Sequence, residues 1–332
     1  MATIKEIANY TGLSVATISR ALSSEEKLNQ TVKPRTLQKV RLAAEALGYR
    51  PNREAAFMRK QRKAAIGVFV PDYANALVAN LIFGMSEVAA AEGFPINFYP
   101  GMDIHDFQEF VRDNITNKNA GLISYPVGKY HSPEAESLLL EYYNSGGKVL
   151  LINTDRKVAD IPSLDMDEAW GGAIAAQKLC SISDLDAVVM ESNESFPHRV
   201  RLQSFADEVK NLRKDLEVIP YRWCDDAPDF FEKLRQSGKK FAFFCTSDLL
   251  TMKFLHLAGS MNLHVPLIGY DNPQASFIIE PELHSIQQPF REQGKLAMQM
   301  LINMLNGVVY SGSTRIKPYL TDASMAFLKN KY

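Results

Sequence analysis

Apolar positions along the chain fall into two regimes. Up to residue 47 they recur at helical spacing. Ile4, Ile7 and Ala8 share one face of a helix opened by Thr3. Gly12 interrupts it within Tyr10-Thr11-Gly12-Leu13, and Ser14 stands where an N-cap would open a second helix over 15–22. Residues 23–31 are polar and loop-like. Pro34, a residue favoured in a first helical turn, begins a third helix with Leu37, Val40, Ala44 and Leu47 on its apolar face. Gly48 ends it, and Pro51-Asn52 lead into a short helical candidate over 53–59. The basic run Arg59-Lys60-Gln61-Arg62-Lys63 then reads as a linker.

From Ala65 onward short, wholly apolar runs alternate with longer amphipathic ones. Strands are expected over 66–70, 95–99, 121–125 and 148–152, separated by helices over 76–92, 106–117 and 133–145. After Asp167 a second series follows. Its helices are expected over 169–180, 199–212, 228–236 and 249–259, and its strands over 187–191, 217–220, 241–245 and 267–270. Strands that are apolar throughout, with helices between them, predict parallel sheets covered on both faces. The body therefore reads as two doubly wound α/β units, whose ligands sit beyond the carboxyl ends of the strands. Two facing units make one cleft.

Composition narrows the class. Of 332 residues, 46% are hydrophobic and 23% charged, as in an ordinary globular protein. Disordered, collagen-like and small disulfide-rich chains are excluded. Cys180, Cys224 and Cys245 stand far apart without a CxxC pair. They read as buried thiols in a reducing compartment, not as bridges or a zinc site. No apolar stretch approaches the roughly 20 residues a spanning helix needs, and the opening MATIKEIANYTG lacks a signal-peptide core. A cytoplasmic protein is expected. The net charge of −1 hides a split: residues 1–63 hold 13 Lys and Arg against 5 Asp and Glu, and the rest hold 24 against 33. A basic head on an acidic body suits a head that meets a polyanion.

Helix, glycine-containing turn and serine-capped helix form the helix-turn-helix pattern. The residues themselves are more specific. Thr3-Ile4-Lys5-Glu6-Ile7-Ala8, Gly12-Leu13-Ser14-Val15-Ala16-Thr17-Ile18-Ser19-Arg20-Ala21-Leu22 and Leu47-Gly48-Tyr49-Arg50-Pro51-Asn52 closely resemble the signature of the lactose-repressor family of bacterial transcription regulators. Downstream, Ile66-Gly67-Val68, Pro266-Leu267-Ile268-Gly269-Tyr270-Asp271 and Ser285-Ile286-Gln287-Gln288-Pro289-Phe290 agree with it. The resemblance implies a small all-α helix-turn-helix head at 1–50, a hinge helix and linker at 51–63, and a periplasmic-binding-protein-like body at 64–332. Within the body, an N-subdomain of about 64–162 and 290–318 and a C-subdomain of about 163–289 and 319–332 are expected. The implied function is a homodimeric repressor that reads palindromic operator DNA and answers to a small molecule, a sugar or sugar derivative.

By this resemblance the second helix enters the major groove with Val15, Ala16 and Arg20 at the base-reading positions. A guanidinium fork on guanine supplies about 1–3 kcal/mol of discrimination. Val15 and Ala16 read only shape and thymine methyls. Thr3, Ser14, Thr17, Ser19, Lys33 and Arg35 are candidates for capping or the phosphate backbone. Asn52 and Arg53 are candidates for phosphate or groove contact. Ala55 lets two hinge helices approach, and Met58 is the apolar wedge for the minor groove, where leucine is usual. Two features depart from the pattern: Glu25 and Glu26 sit in a long loop, and the third helix lacks a serine cap.

In the body the resemblance points to Arg201 and Asp271 as effector contacts, a guanidinium and a carboxylate suited to sugar hydroxyls. Ser247 stands where asparagine is common, and Asn272 where a second acid is usual. Tyr73, Asn75, Gln288, Trp223 and Phe290 complete the candidates, the last two as stacking platforms or core aromatics. Asp165 and Asp167 compete for one further contact. The first body helix opens Asn75-Ala76-Leu77-Val78, without the family's paired aromatics, which suggests an unusual ligand. No catalytic residue, cofactor or metal is expected: GxGxxG, GxxxxGK[ST] and GxSxG motifs are absent, and the six histidines show no HExxH spacing. The alternative reading is a sugar-binding protein without a DNA role.

Overall fold

The computed structural model describes residues 4–22, 31–47, 64–72, 76–125, 133–154, 157–222, 227–271 and 284–322. The chain divides into two compact units, Met1–Arg62 and Lys63–Tyr332. The first holds α1 (Ile4–Thr11), α2 (Val15–Ala21) and α3 (Pro34–Ala46). Gly12 takes a positive φ of 69° and turns the chain out of α1. Ser14 then adopts an extended backbone and caps α2. Ile7, Ile18, Ala21, Val40 and Ala44 close a small core among the three helices. The expected face of α3 faces inward, and Leu47 is its C-cap. The hinge candidate over 53–59 lies outside the described residues.

In the second unit, β1 (Ile66–Pro71), β2 (Ile96–Gly101), β3 (Gly121–Ser124), β4 (Lys148–Ile152), β5 (Ser163–Met166) and β11 (Ser313–Ile316) form one sheet in the order β11-β5-β4-β3-β1-β2. All its described pairings are parallel. The second sheet has the order β12-β10-β9-β8-β6-β7. It contains β6 (Ala187–Glu191), β7 (Glu217–Tyr221), β8 (Phe241–Phe244), β9 (Leu267–Tyr270), β10 (His284–Gln287) and β12 (Tyr319–Asp322). Its edge strand β12 runs antiparallel to β10, a common end for an otherwise parallel sheet.

Each sheet is sandwiched. On one face of the first lie α4 (Ala76–Glu92) and α11 (Phe290–Leu305). On the other lie α5 (Ile104–Thr116) and α6 (Pro133–Asn144), built around Phe69, Phe107 and Phe110. The second sheet carries α7 (Glu168–Cys180) and α8 (His198–Leu212) on one face. On the other lie α9 (Ala227–Gln236) and α10 (Asp248–Ser260). Strand β5, on the C-subdomain side of the expected boundary at residue 163, pairs in parallel with β4 and belongs to the first sheet. The chain crosses between sheets after Met166, again between β10 and α11, and a third time between β11 and β12.

Both subdomains close one face with a helix pair that meets at glycine. A Cβ on Gly84 would lie 2.0 Å from the Arg291 carbonyl oxygen, and one on Gly294 would lie 2.2 Å from that of Leu81. A Cβ on Gly172 would lie 2.2 Å from the Arg201 carbonyl oxygen. These contacts are backbone to backbone, so no rotamer change relieves them.

Gly294→Ala should therefore destabilise the body by about 1–3 kcal/mol, the usual range for overpacking. Gly259, within α10, has open space around it. Gly259→Ala should be neutral or stabilising by up to about 1 kcal/mol. Thermal unfolding of the two variants beside the parent checks both signs.

Candidate functional site

The first candidate is the exposed face of α2. Ser14 Oγ accepts the Thr17 amide at 3.1 Å and shares a 2.8 Å hydrogen bond with Thr17 Oγ1. The cap fixes where the helix starts, and so which side chains turn outward. Ile18 and Ala21 are buried. Val15 is 44% exposed, and Ala16 and Arg20 are exposed as well. Thr17 and Ser19 are half-buried. Lys33 precedes Pro34 without a side-chain cap, and Lys33 and Arg35 are both exposed. Thr3, Asn52, Arg53, Ala55 and Met58 lie outside the described residues.

The second candidate lies at the carboxyl ends of the second sheet. Asp167 Oδ1 accepts the Trp170 amide at 3.1 Å and so caps α7. The next residue, Glu168, is buried. One turn on, Gly172 admits the backbone of α8, which sets Arg201 against Glu168. Arg201 Nε donates to Glu168 Oε2 at 2.6 Å, and Nη2 to Oε1 at 3.1 Å. Nη1 donates to the Thr246 carbonyl at 2.7 Å. The guanidinium carbon lies 3.9 Å above the Tyr270 ring centre, and Tyr270 Oη donates to Glu168 Oε2 at 3.0 Å. Arg201 is only 3% exposed. Its fork, expected to be open to a ligand, is already held by Glu168.

Around this pair lies a wider polar network. Arg201 Nη1 is 3.8 Å from Asp271 Oδ1, and Gln288 Nε2 donates to the same oxygen. Asp271 has a φ of 80°, a left-handed conformation seldom adopted by non-glycine residues and often found at functional sites. Thr246 Oγ1 donates to Glu191 Oε2 and lies 3.0 Å from His198 Nδ1. Burial favours a neutral Arg201, but the Glu168 carboxylate overrides it and holds the guanidinium charge firmly. Burial, aided by the Arg201 charge, pushes the His198 imidazole down to about 4. His198 is therefore neutral at pH 7.

Other expected contacts have structural roles. Ser247 caps α10, its Oγ accepting the Leu250 amide at 3.4 Å. Phe290 packs in the core of the first sheet, 4% exposed, with its ring 6.5 Å from that of Tyr125; that placement is core packing rather than a stacking platform. Asp165 accepts from the Thr154 amide, Ser163 Oγ and Ser313 Oγ. It lines a cavity of about 250 Å³ beside the β4–β5–β11 edge, which shares no lining residue with the Arg201 network. Tyr73, Asn75, Trp223 and Asn272 lie outside the described residues. Sequence reasoning missed Glu168, Glu191 and Thr246. Glu168 carried one signal: an acid in the first turn of a helix whose next eight residues are apolar or glycine.

Among the described residues no group of three or more His, Cys, Asp and Glu could hold a metal ion. No helix among them is long and apolar enough to cross a membrane.

Comparison with known proteins follows the same division. Residues 3–52 match the family described as bacterial regulatory proteins, lacI family. Residues 186–321 match a periplasmic binding protein-like domain. Catabolite control protein A of Priestia megaterium is 27% identical over 320 residues, 92% of each chain. The ribose operon repressor of Bacillus subtilis is likewise 27% identical over 320 residues, 92% of each chain. A crystal structure of the lac repressor dimer bound to operator and the anti-inducer ONPF superposes with a TM-score of 0.69 at 18% identity. That match covers 97% of this chain and 98% of the other.

Two outcomes follow from the geometry. Glu168→Gln leaves the Arg201 charge buried without its partner and should lower stability by about 3–5 kcal/mol in chemical denaturation. His198 in the unfolded chain protonates near its ordinary 6.5, and in the fold only near 4. Stability contributed by neutral His198 is thus present above pH 6.5 and is lost as pH falls towards 4. His198→Gln should flatten the melting temperature against pH in that window; an unchanged slope would assign the loss to other groups.

Proposed function

We propose that this chain, which belongs to the lacI family of bacterial regulatory proteins, represses transcription by binding a palindromic operator as a homodimer under the control of a small carbohydrate. It is a regulator and not an enzyme, as its relatives are. The observation that carries the DNA reading is the outer face of α2, where a Ser14 cap turns Val15, Ala16 and Arg20 to solvent within a basic head. Arg20 is the side chain able to read guanine O6 and N7. Lys33 and Arg35 suit phosphates, which fix register. Residues 52–59 supply the hinge, with Met58 as minor-groove wedge.

A palindrome is matched by two-fold symmetry. Phe83 on α4 is 59% exposed and Leu296 on α11 is 40% exposed. Large apolar side chains left outside on a paired helix surface suit a second copy. Asp271 and Gln288 are the effector contacts, Tyr73, Asn75, Trp223 and Ser247 are further candidates, and Arg201 supports Asp271. The crossing segments beside Glu168 and Gln288 let a ligand bias the angle between subdomains. Coupling between ligand and DNA is then reciprocal. Such a role lies with the chromosome in the cytoplasm.

Fluorescence anisotropy on the DNA upstream of the chain's own gene tests this, at two salt concentrations. Affinity should fall steeply with salt, because several phosphates are neutralised. Arg20→Ala should weaken binding by about 1–3 kcal/mol, about five- to 150-fold. Binding that is weak, insensitive to salt and unchanged by Arg20→Ala, with and without a metabolite pool, would overturn the proposal.

A further inference from the structure

A cavity of about 250 Å³ lies beside the β4–β5–β11 edge of the first sheet. It has room for about eight waters at roughly 30 Å³ each. Strands β5 and β11 run parallel there, with Ser163 opposite Ser313 and Asp165 opposite Arg315. Alternate residues of a strand share a face, so these four side chains stand on one side of the sheet, where all four line the cavity.

Hydrogen-bond directions make the Asp165 side of this cavity acceptor-only. Ser163 Oγ donates to Asp165 Oδ2 at 2.6 Å, and Ser313 Oγ donates to the same oxygen at 2.7 Å. Each serine has spent its single O–H and shows a ligand lone pairs alone. Asp165 Oδ1 accepts the Thr154 amide at 2.9 Å, which leaves one of the carboxylate's roughly four acceptor sites open. Among the described residues no ion pair reaches Asp165. The two cations that line the cavity are exposed and donor-only. Lys157 and Arg315 hold Asp160 and Asp167 loosely, at 3.8 and 3.9 Å, and such surface pairs are worth little. Leu151, Val158 and Ile161 add an apolar wall.

We propose that this cavity is a ligand site apart from the effector cleft and takes a free amino acid with an apolar side chain. The ligand's ammonium group, with three N–H donors, meets Asp165 and the two serine oxygens. Its carboxylate takes Lys157 and the planar fork of Arg315. Its side chain lies along Leu151, Val158 and Ile161. Asp165 and Arg315 start from neighbouring backbones about 4.8 Å apart, close enough to be met by two charges on one carbon. A sugar hydroxyl can hydrogen-bond at either end but compensates neither charge. A simple amine leaves the cations unanswered, and a simple acid brings like charge to Asp165.

Calorimetric titration of the full-length protein takes alanine, valine, leucine, isoleucine and methionine, each beside its decarboxylated amine and its 2-hydroxy acid. At least one amino acid should bind about tenfold or more tighter than both of its analogues, a margin of about 1.4 kcal/mol. Asp165→Asn should erase the margin over the hydroxy acid. Lys157→Gln combined with Arg315→Gln should erase the margin over the amine. That pair alters exposed side chains alone and should leave the melting temperature in place, so its effect on binding is separate from folding. No binding by any of the five amino acids, or analogues that bind as tightly, would overturn the proposal. So would binding that survives all three substitutions. A loss on Asp271→Asn with none on Asp165→Asn would place the amino acid in the cleft and overturn this site.

Discussion

Two opposite charges lie almost entirely out of water between α7 and α8, and much of the second subdomain is arranged around them. Glu168 is 7% exposed and Arg201 3%. Removing such ions from water costs several kcal/mol each. The attraction between them offsets this only where the geometry is good and the remaining donors are used. Here a bidentate pair, the Thr246 carbonyl and the Tyr270 hydroxyl and ring meet that demand. The pair is thus a weak source of stability and a strong constraint on placement. The ends of β8 and β9 and the start of α7 must stay where the guanidinium requires them.

That constraint depends in turn on a missing methyl group. Gly172 lets the α8 backbone approach within one turn of Glu168. The first subdomain uses the same device, with Gly84 and Gly294 letting α4 and α11 touch. Helix pairs locked at their backbones make each half stiff, since interiors are close-packed and transmit strain. Freedom for the body to rearrange then falls to the three crossings. Two of them carry polar residues of the site: Glu168 follows the first, and Gln288 stands in the second. Beside them, Asn153 and Gln293 form a buried amide pair, and Asn153 Oδ1 also accepts the Met166 amide.

The sequence made most of this architecture legible, for physical reasons that also mark where it stopped. Strands such as β1, buried at all six positions, announce themselves as apolar runs. The Ser14 cap and Pro34 mark helix starts by their own chemistry. The strands β5 and β11 escaped notice because each has four residues and carries a charge, Asp165 in one and Arg315 in the other. Their pairing is decided by partners distant in the chain. In the site, Arg201 and Asp271 were visible by resemblance, but their surroundings were not. Glu168 is 33 residues from Arg201; nothing local says that its carboxylate will fill that fork. Phe290 is an aromatic beside a crossing, and only packing tells that its ring belongs to the core.

Net charge is a poor guide to such a molecule, and the reason is general. The value of −1 is the sum of a basic head and an acidic body, and each field acts at its own surface. Screening confines exposed charges to about 8–10 Å at ordinary salt, so the head meets a polyanion on its own terms. Inside the body the argument runs at shorter range still. Burial removes the screening, so a buried charge answers to the groups that touch it. An arginine counted from sequence as a ligand anchor becomes, once Glu168 fills its fork, part of a neutral floor.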